Sequence, residues 1–211
     1  MSCVLRKYSF ADAYSQNRLR NFFIESPHGL CYNNLKYPLF WKGVRAVVIL
    51  GVDPGYATVG WGVVDYQGNR FRTLDYGAVI TESGLPFERR LEQIYDDFTD
   101  IIGRLRPSVM SIEKLYFNTN TTTAIGVAEA RGCILLAARK GGVAVEEYTP
   151  LQVKQSVTGY GKAVKKQVME MTRILLGLPE MPKPDDTADA LALAICQAHC
   201  GRPEVKVRSG I

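Results

Sequence analysis

The run Val47-Val48-Ile49-Leu50-Gly51-Val52-Asp53 constrains the fold of this chain more than any other stretch. It is short, apolar and rich in β-branched residues, and it ends on a carboxylate. Such a run reads as a strand buried on both faces, at the centre of a sheet. Residues 58–65 and 71–80 read as two further strands, with the turn at Gln67-Gly68-Asn69. Connections that short imply an antiparallel meander. The period then changes. Phe87, Leu91, Ile94, Phe98, Ile101, Ile102 and Leu105 recur at helical spacing between Pro86 and Pro107. A strand is predicted over 109–113, a helix over 121–140 stopped by Gly141-Gly142, and a strand over 143–148. Helices are predicted at about 150–157, 163–176 and 186–200. The order βββ-α-β-α-β-α-α-α predicts an α/β domain with a mixed five-stranded sheet flanked by helices.

The chain has 211 residues, enough for one such domain and an appendage, and 46% of them are hydrophobic, enough for a packed core. No apolar run reaches the roughly 18 residues that span a bilayer, so a soluble protein with no membrane partner is expected. The net charge of +5 is unevenly placed. Of the 26 basic and 21 acidic residues, seven and two fall in 1–46, which leaves 19 of each sign for 47–211. A nucleic-acid surface on the main domain must therefore come from local clusters of Lys and Arg. Segment 1–46 also carries nine aromatics and little periodicity. It is expected to be an upstream extension from a misplaced start, with the regular pattern confined to 47–200 and a tail over 201–211. Five cysteines, Cys3, Cys31, Cys133, Cys196 and Cys200, are odd in number and irregular in spacing, and no secretory signal precedes them. Reduced thiols in a cytoplasmic protein are expected. Cys196, His199 and Cys200 fall on one side of a helix, but no second Cys/His pair completes a tetrahedral site, so packing is their expected role.

Four acids stand out by location. Asp53 closes the first strand and Glu113 closes the strand after the first helix. Asp186 and Asp189 lie at i and i+3 at the start of the last helix, on one face. Asp186 also suits a first helical turn, where the dipole favours an acid. Asp189 is harder to explain structurally, because the almost wholly apolar Ala190-Leu191-Ala192-Leu193-Ala194-Ile195 follows it. An acid at the mouth of a buried helix needs a partner, and a cation is the obvious one. Hard oxygen ligands without His or Cys select Mg²⁺, with Mn²⁺ able to substitute. Two such ions can clamp an in-line phosphoryl displacement.

The motifs resemble a known family. Ile49-Leu50-Gly51-Val52-Asp53-Pro54-Gly55, followed by Gly60-Trp61-Gly62, is similar to the opening of RuvC-type Holliday junction resolvases. Segments 111–117, 152–159 and 165–168, and Asp185-Asp186-Thr187-Ala188-Asp189, resemble their later motifs in the same order. The resemblance implies a ribonuclease-H-like fold and a Mg²⁺-dependent endodeoxyribonuclease that resolves four-way (Holliday) DNA junctions by symmetric cleavage during recombination and repair. It implies Asp53, Glu113, Asp186 and Asp189 as metal-holding and catalytic acids, with Asp186 the position that varies to His. It implies a homodimer, and a RuvA–RuvB branch-migration complex as partner. Lys154 and Lys165 fall where the family has lysines near the scissile phosphate, as catalytic and DNA-binding residues. Tyr116 replaces a family Phe and keeps a face that can stack on an unpaired base.

Beside these, Lys162 and Lys166 are expected to extend the DNA-binding patch, around a flexible loop at Gly159-Tyr160-Gly161-Lys162. Asn118, Asn120 and residues 121–123 form a polar loop and helix cap suited to phosphate. The small residues Ala124, Gly126, Ala128, Ala130 and Gly132 offer a place for a dimer contact, or for packing on the chain's own sheet. Two other functions compete. An actin-like ATPase or sugar kinase also opens with a strand, an acid and glycines, but needs a second phosphate loop and a longer chain. A related nuclease of the same fold acting on another substrate, such as an RNA–DNA hybrid, shares every feature above. A non-catalytic junction binder is disfavoured by the presence of all four acids.

Overall fold

The computed structural model of the chain describes residues 46–115 and 121–201. Ten elements follow one another: β1 (Val47–Asp53), β2 (Thr58–Gln67), β3 (Arg70–Ile80), α1 (Phe87–Leu105), β4 (Val109–Glu113), α2 (Thr121–Lys140), β5 (Ala144–Tyr148), α3 (Pro150–Thr158), α4 (Lys165–Leu176) and α5 (Asp185–Cys200). The sheet order is β3-β2-β1-β4-β5. β1 is antiparallel to β2, and β2 to β3, while β1, β4 and β5 run parallel. The expected mixed five-stranded sheet is therefore present, with β1 at its centre.

Several boundaries shift by one or two residues from expectation, two of them for evident local reasons. β2 continues to Gln67, so the β2–β3 turn is the pair Gly68-Asn69, both with positive φ. A two-residue turn of that kind matches the twist of the strands it joins. α4 begins at Lys165 rather than 163, because the Gln167 side chain accepts the Val164 N–H at 3.0 Å and closes the first turn there. α3 starts on a reciprocal cap, Thr149 Oγ1 accepting from Gln152 N–H and Gln152 Oε1 from Thr149 N–H.

Alternation along β1 sends Leu50 and Val52 to one face of the sheet and Ile49, Gly51 and Asp53 to the other. The first face packs on α1 and α2 through Trp61, Val63, Ile94, Phe98, Ile134 and neighbours. Each fully buried residue of that size contributes about 1.5–3 kcal/mol. The second face carries α5, with α3 and α4 outside it, around Ile49, Val64, Val109, Leu191 and Ile195. α5 is buried from Ala190 through Gln197 on every side, which is why its sequence is apolar all round. Cys196 is among these buried residues, beside Tyr148 and Leu193, and His199 Nδ1 lies 3.1 Å from the Ser156 carbonyl. Of the three residues expected to pack, Cys196 does so, whereas His199 and Cys200 are exposed at the helix end. No described helix is long and apolar enough to cross a membrane.

Candidate active site

Asp53 and Glu113 end two neighbouring parallel strands, and Val52 pairs with Ile112 one step before them. Asp53 shares its side of β1 with Gly51, and Glu113 shares its side of β4 with Ser111. Gly51 and Ser111 both face α5: the Ser111 hydroxyl donates to the Leu193 carbonyl at 2.7 Å. Both acids thus leave the sheet on the α5 side, at its carboxyl-terminal edge.

α5 lies against the backbone of the sheet itself. A Cβ on Gly51 would fall 1.9 Å from the Ala190 carbonyl oxygen, and one on Gly60 the same distance from the Asp186 carbonyl. Gly60 is paired with Asp53 across the β1–β2 ladder. The two glycines therefore bring the first turns of α5 directly over the end of β1. Thr187 fixes the helix rotation by donating its hydroxyl to the Gly77 carbonyl at 3.1 Å. Asp186 and Asp189 are delivered to the Asp53 side chain by this close approach.

The electrostatics follow from the assembly. Burial pushes the Asp53 carboxyl up to about 8, and Glu113, Asp189 and Asp186 push it the same way, against a weaker pull from Lys165. Burial raises Glu113 too, with Asp189 adding to it. Asp189 is raised by burial even though Lys165 bonds to it; the loss of solvent outweighs the ion pair. Four acids crowded into a half-buried cluster store repulsion that a cation relieves. The donors are all carboxylate oxygens, the chemistry of a hard divalent ion. Among the described residues no three His, Cys, Asp or Glu side chains form a finished cage for one ion. Such an open cluster suits a cation that takes one or two carboxylates and fills its other positions with water and phosphate oxygens.

Of the expected basic residues, Lys165 is brought to the acids. Its Nζ lies 3.0 Å from Asp189 and 3.5 Å from Asp185, with more than half of the side chain exposed. Lys154 is half-buried on α3 and makes no ion pair among the described residues; Lys162 and Lys166 are exposed. Tyr116, Asn118 and Asn120 lie outside the described residues, as do the side chains of 121–123. Of the small residues offered for a dimer contact, Ala130 is fully buried against its own core, and Gly126 opens onto Tyr56 and Phe87. Gly132 alone of that set is exposed.

Two arginines that the sequence did not single out support the acids. Arg90 is buried on α1; its Nε donates to Thr81 Oγ1 at 2.8 Å, its Nη2 to the Tyr56 carbonyl at 3.3 Å, and its guanidinium lies over the Tyr56 ring. It pins the turn that follows Asp53. Arg131 on α2 pairs with Glu147 of β5, and its Nε donates to the Glu113 carbonyl at 3.4 Å. It ties the end of β4 to α2. Helix arginines at these positions read as surface charge in a sequence; their partners are distant in the chain.

Residues 49–197 match the family model for the crossover junction endodeoxyribonuclease RuvC. The chain belongs to the RuvC family of crossover junction endodeoxyribonucleases. The RuvC of Rubrobacter xylanophilus is 56% identical over 155 residues, 74% of this chain and 87% of that protein. The RuvC of Brevibacillus brevis is 54% identical over 163 residues, 77% of this chain and 98% of that protein. Among solved structures, RuvC of Thermus thermophilus in complex with a Holliday junction substrate superimposes with a TM-score of 0.70 at 37% identity, over 72% of this chain and 93% of that one. The yeast mitochondrial resolvase Ydc2, at 13% identity and a TM-score of 0.53, shares the fold. RuvC proteins are metal-dependent nucleases, so the ATPase and kinase alternative is set aside.

Proposed function

We propose that this chain resolves four-way DNA junctions by hydrolysing phosphodiester bonds with Mg²⁺, or Mn²⁺ in its place, at the cluster of Asp53, Glu113, Asp186 and Asp189. The observation that carries the proposal is the convergence of these acids from β1, β4 and α5 on one side of the sheet, with Lys165 at their margin. Bound divalent cations would supply charge neutralisation for an in-line phosphoryl displacement. The carboxyls of Asp53 and Glu113 hold protons more tightly than usual in the crowded cluster and release them when a cation is taken up. Lys165, ion-paired yet more than half exposed, is free to exchange Asp189 for a phosphate oxygen and to neutralise charge there. Lys154, Lys162, Lys166 and Tyr116 are assigned to DNA contact on their place in the sequence.

Symmetric cleavage of a junction needs two such sites, and so a homodimer. The exposed Ile125, Glu129, Gly132 and Leu136 fall at successive helical turns along α2 and favour that helix as the contact. We assign the nuclease domain to 47–200, place the protein in the cytoplasm, and assign the RuvA–RuvB complex as its partner in recombination and repair. Cleavage of a four-way junction, a linear duplex and an RNA–DNA hybrid tests the substrate. Paired, symmetric cuts in the junction with Mg²⁺, and none in EDTA, are expected. Equal or faster cutting of the hybrid would replace the resolvase by a related nuclease of the same fold.

A further inference from the structure

The loop between α3 and α4 is held in place on both sides. The Thr158 hydroxyl donates to the Lys154 carbonyl at 2.8 Å and also lies 3.1 Å from the Tyr160 carbonyl. Gly159 N–H bonds the Gln155 carbonyl at 2.9 Å. Leu151 lies over Gly161, and Ala163 is buried under the loop. The Tyr160 hydroxyl donates to Gln167 Oε1 at 2.8 Å, the same oxygen that accepts the Val164 N–H. This network corrects the expectation of a flexible loop. It has a consequence for the ring: Tyr160 is fixed at its hydroxyl end yet remains 48% exposed.

An aromatic ring held in place and left half open offers a face for stacking at little further cost in conformational freedom. Two further exposed apolar side chains flank it, Leu151 and Val164. Lys162, Lys165 and Lys166, all exposed, lie within six residues of Tyr160 in the chain, and Lys165 reaches the acid cluster. An apolar ledge set among cations is complementary to a nucleic-acid strand, whose sugars and bases are apolar and whose phosphates are anionic. A peptide partner fits less well, because three exposed lysines within five residues of chain call for a polyanion.

We infer that Tyr160 is a DNA-contacting residue whose ring packs on a sugar or base of the strand entering the site, with Gln167 holding it in position. This rests on the nuclease function proposed above. A ring contact differs from a lysine contact in one measurable respect. Losing a phosphate contact lowers the dependence of affinity on salt, whereas losing a ring contact leaves that dependence unchanged.

The test is binding of the full chain to a labelled four-way junction and to linear duplex in EDTA, across a range of salt concentrations. Tyr160→Ala is expected to weaken affinity at least about fivefold with an unchanged salt slope. Tyr160→Phe keeps the ring and is expected to stay within about twofold. Lys162→Ala is expected to reduce the slope by about one unit or less. Tyr160→Leu, which keeps apolar bulk under the loop, replaces the Ala variant if that protein melts early, with the same loss expected. Wild-type affinity in Tyr160→Ala or Tyr160→Leu would overturn the inference. So would a loss accompanied by a reduced slope, since the ring would then act only by placing lysines. Equal wild-type binding to duplex and junction would count against the resolvase function instead, and the ratio of variant to wild type on either DNA still decides the role of Tyr160. A wild type that binds neither DNA would overturn both.

Discussion

Toward α1 and α2 the sheet presents Leu50, Val52, Trp61 and Val63, side chains that hold the helices a full layer away. Toward α5 it presents Gly51 and Gly60, and the helix backbone rests on the strands. The first face is an ordinary core, where volume matters and the identity of any one residue matters less. The second fixes distances between charged groups. Asp53, Glu113, Asp186 and Asp189 meet only because α5 comes so close, and Ser111 and Thr187 set its rotation. On the proposed function, catalysis depends on the α5 face, which also carries a core of its own, whereas the α1 and α2 face contributes stability alone, and substitutions on each side should part company.

Among substitutions that leave the four acids in place, Gly51→Ala should have the largest effect on cleavage. Its Cβ would meet the Ala190 oxygen, and the Ala194 nitrogen at 2.8 Å, so α5 must shift. A displacement of about 1 Å at a reacting centre costs on the order of a hundredfold. Cleavage in a protein that still shows native circular dichroism should fall by at least about that much. Wild-type cleavage by this variant would break the comparison.

Lys165→Ala comes next. If Lys165 neutralises charge at the phosphate, its loss should cost on the order of 2–4 kcal/mol of barrier in single-turnover cleavage with all DNA bound. Excess protein that restores the normal rate would make Lys165 a binding residue only.

The pH dependence sharpens the comparison because it belongs to the α5 face alone. Burial and the neighbouring acids push Asp53 up to about 8 in the folded chain, above its ordinary 3.8. The proton it keeps on folding stabilises the metal-free protein most below about pH 4, and that contribution is lost as pH rises through 8. Thermal melts in EDTA from pH 5 to 9 should therefore show falling stability, with a slope of at most about 1.4 kcal/mol per pH unit for this one proton. Asp53→Asn should flatten the curve, and Mg²⁺ should raise the melting temperature most at the alkaline end. An identical slope in Asp53→Asn would remove Asp53 as its source.

Phe98→Ala should have the smallest effect on cleavage and a large one on stability. The side chain is fully buried against the α1 and α2 core, and its removal should cost about 3–5 kcal/mol. Well below the melting temperature, cleavage should stay within about threefold of wild type. A proportionate loss of both would show that the two faces are coupled.

The elements themselves were legible because each is written in local periodicity: the apolar run of β1, the heptad-like spacing from Phe87 to Leu105, the glycines after α2. Asp53 and Glu113 stand out because each ends an apolar strand, Asp189 because an apolar helix follows it, and Asp186 by its i, i+3 spacing to Asp189. Other features depend on partners far along the chain. Nothing near Arg90 announces that it will reach the carbonyl of Tyr56, or near Arg131 that it will bond the carbonyl of Glu113. Gly60 reads as a strand glycine until α5 is placed over it. The 159–162 loop reads as flexible because glycine permits motion, whereas the bonds of Thr158 and Gln167 that hold it are invisible in composition.

The central claim is that the acids do chemistry rather than hold DNA. Single-turnover junction cleavage and junction affinity, measured side by side for Asp53→Asn and Glu113→Gln, test it most directly. Cleavage should fall by about a thousandfold or more in each at saturating Mg²⁺, because charge stabilisation at the phosphate is lost. Affinity in EDTA should stay within about threefold, because the proposed lysine contacts to phosphate are untouched by either substitution. Cleavage near the wild-type rate by either variant would contradict the account.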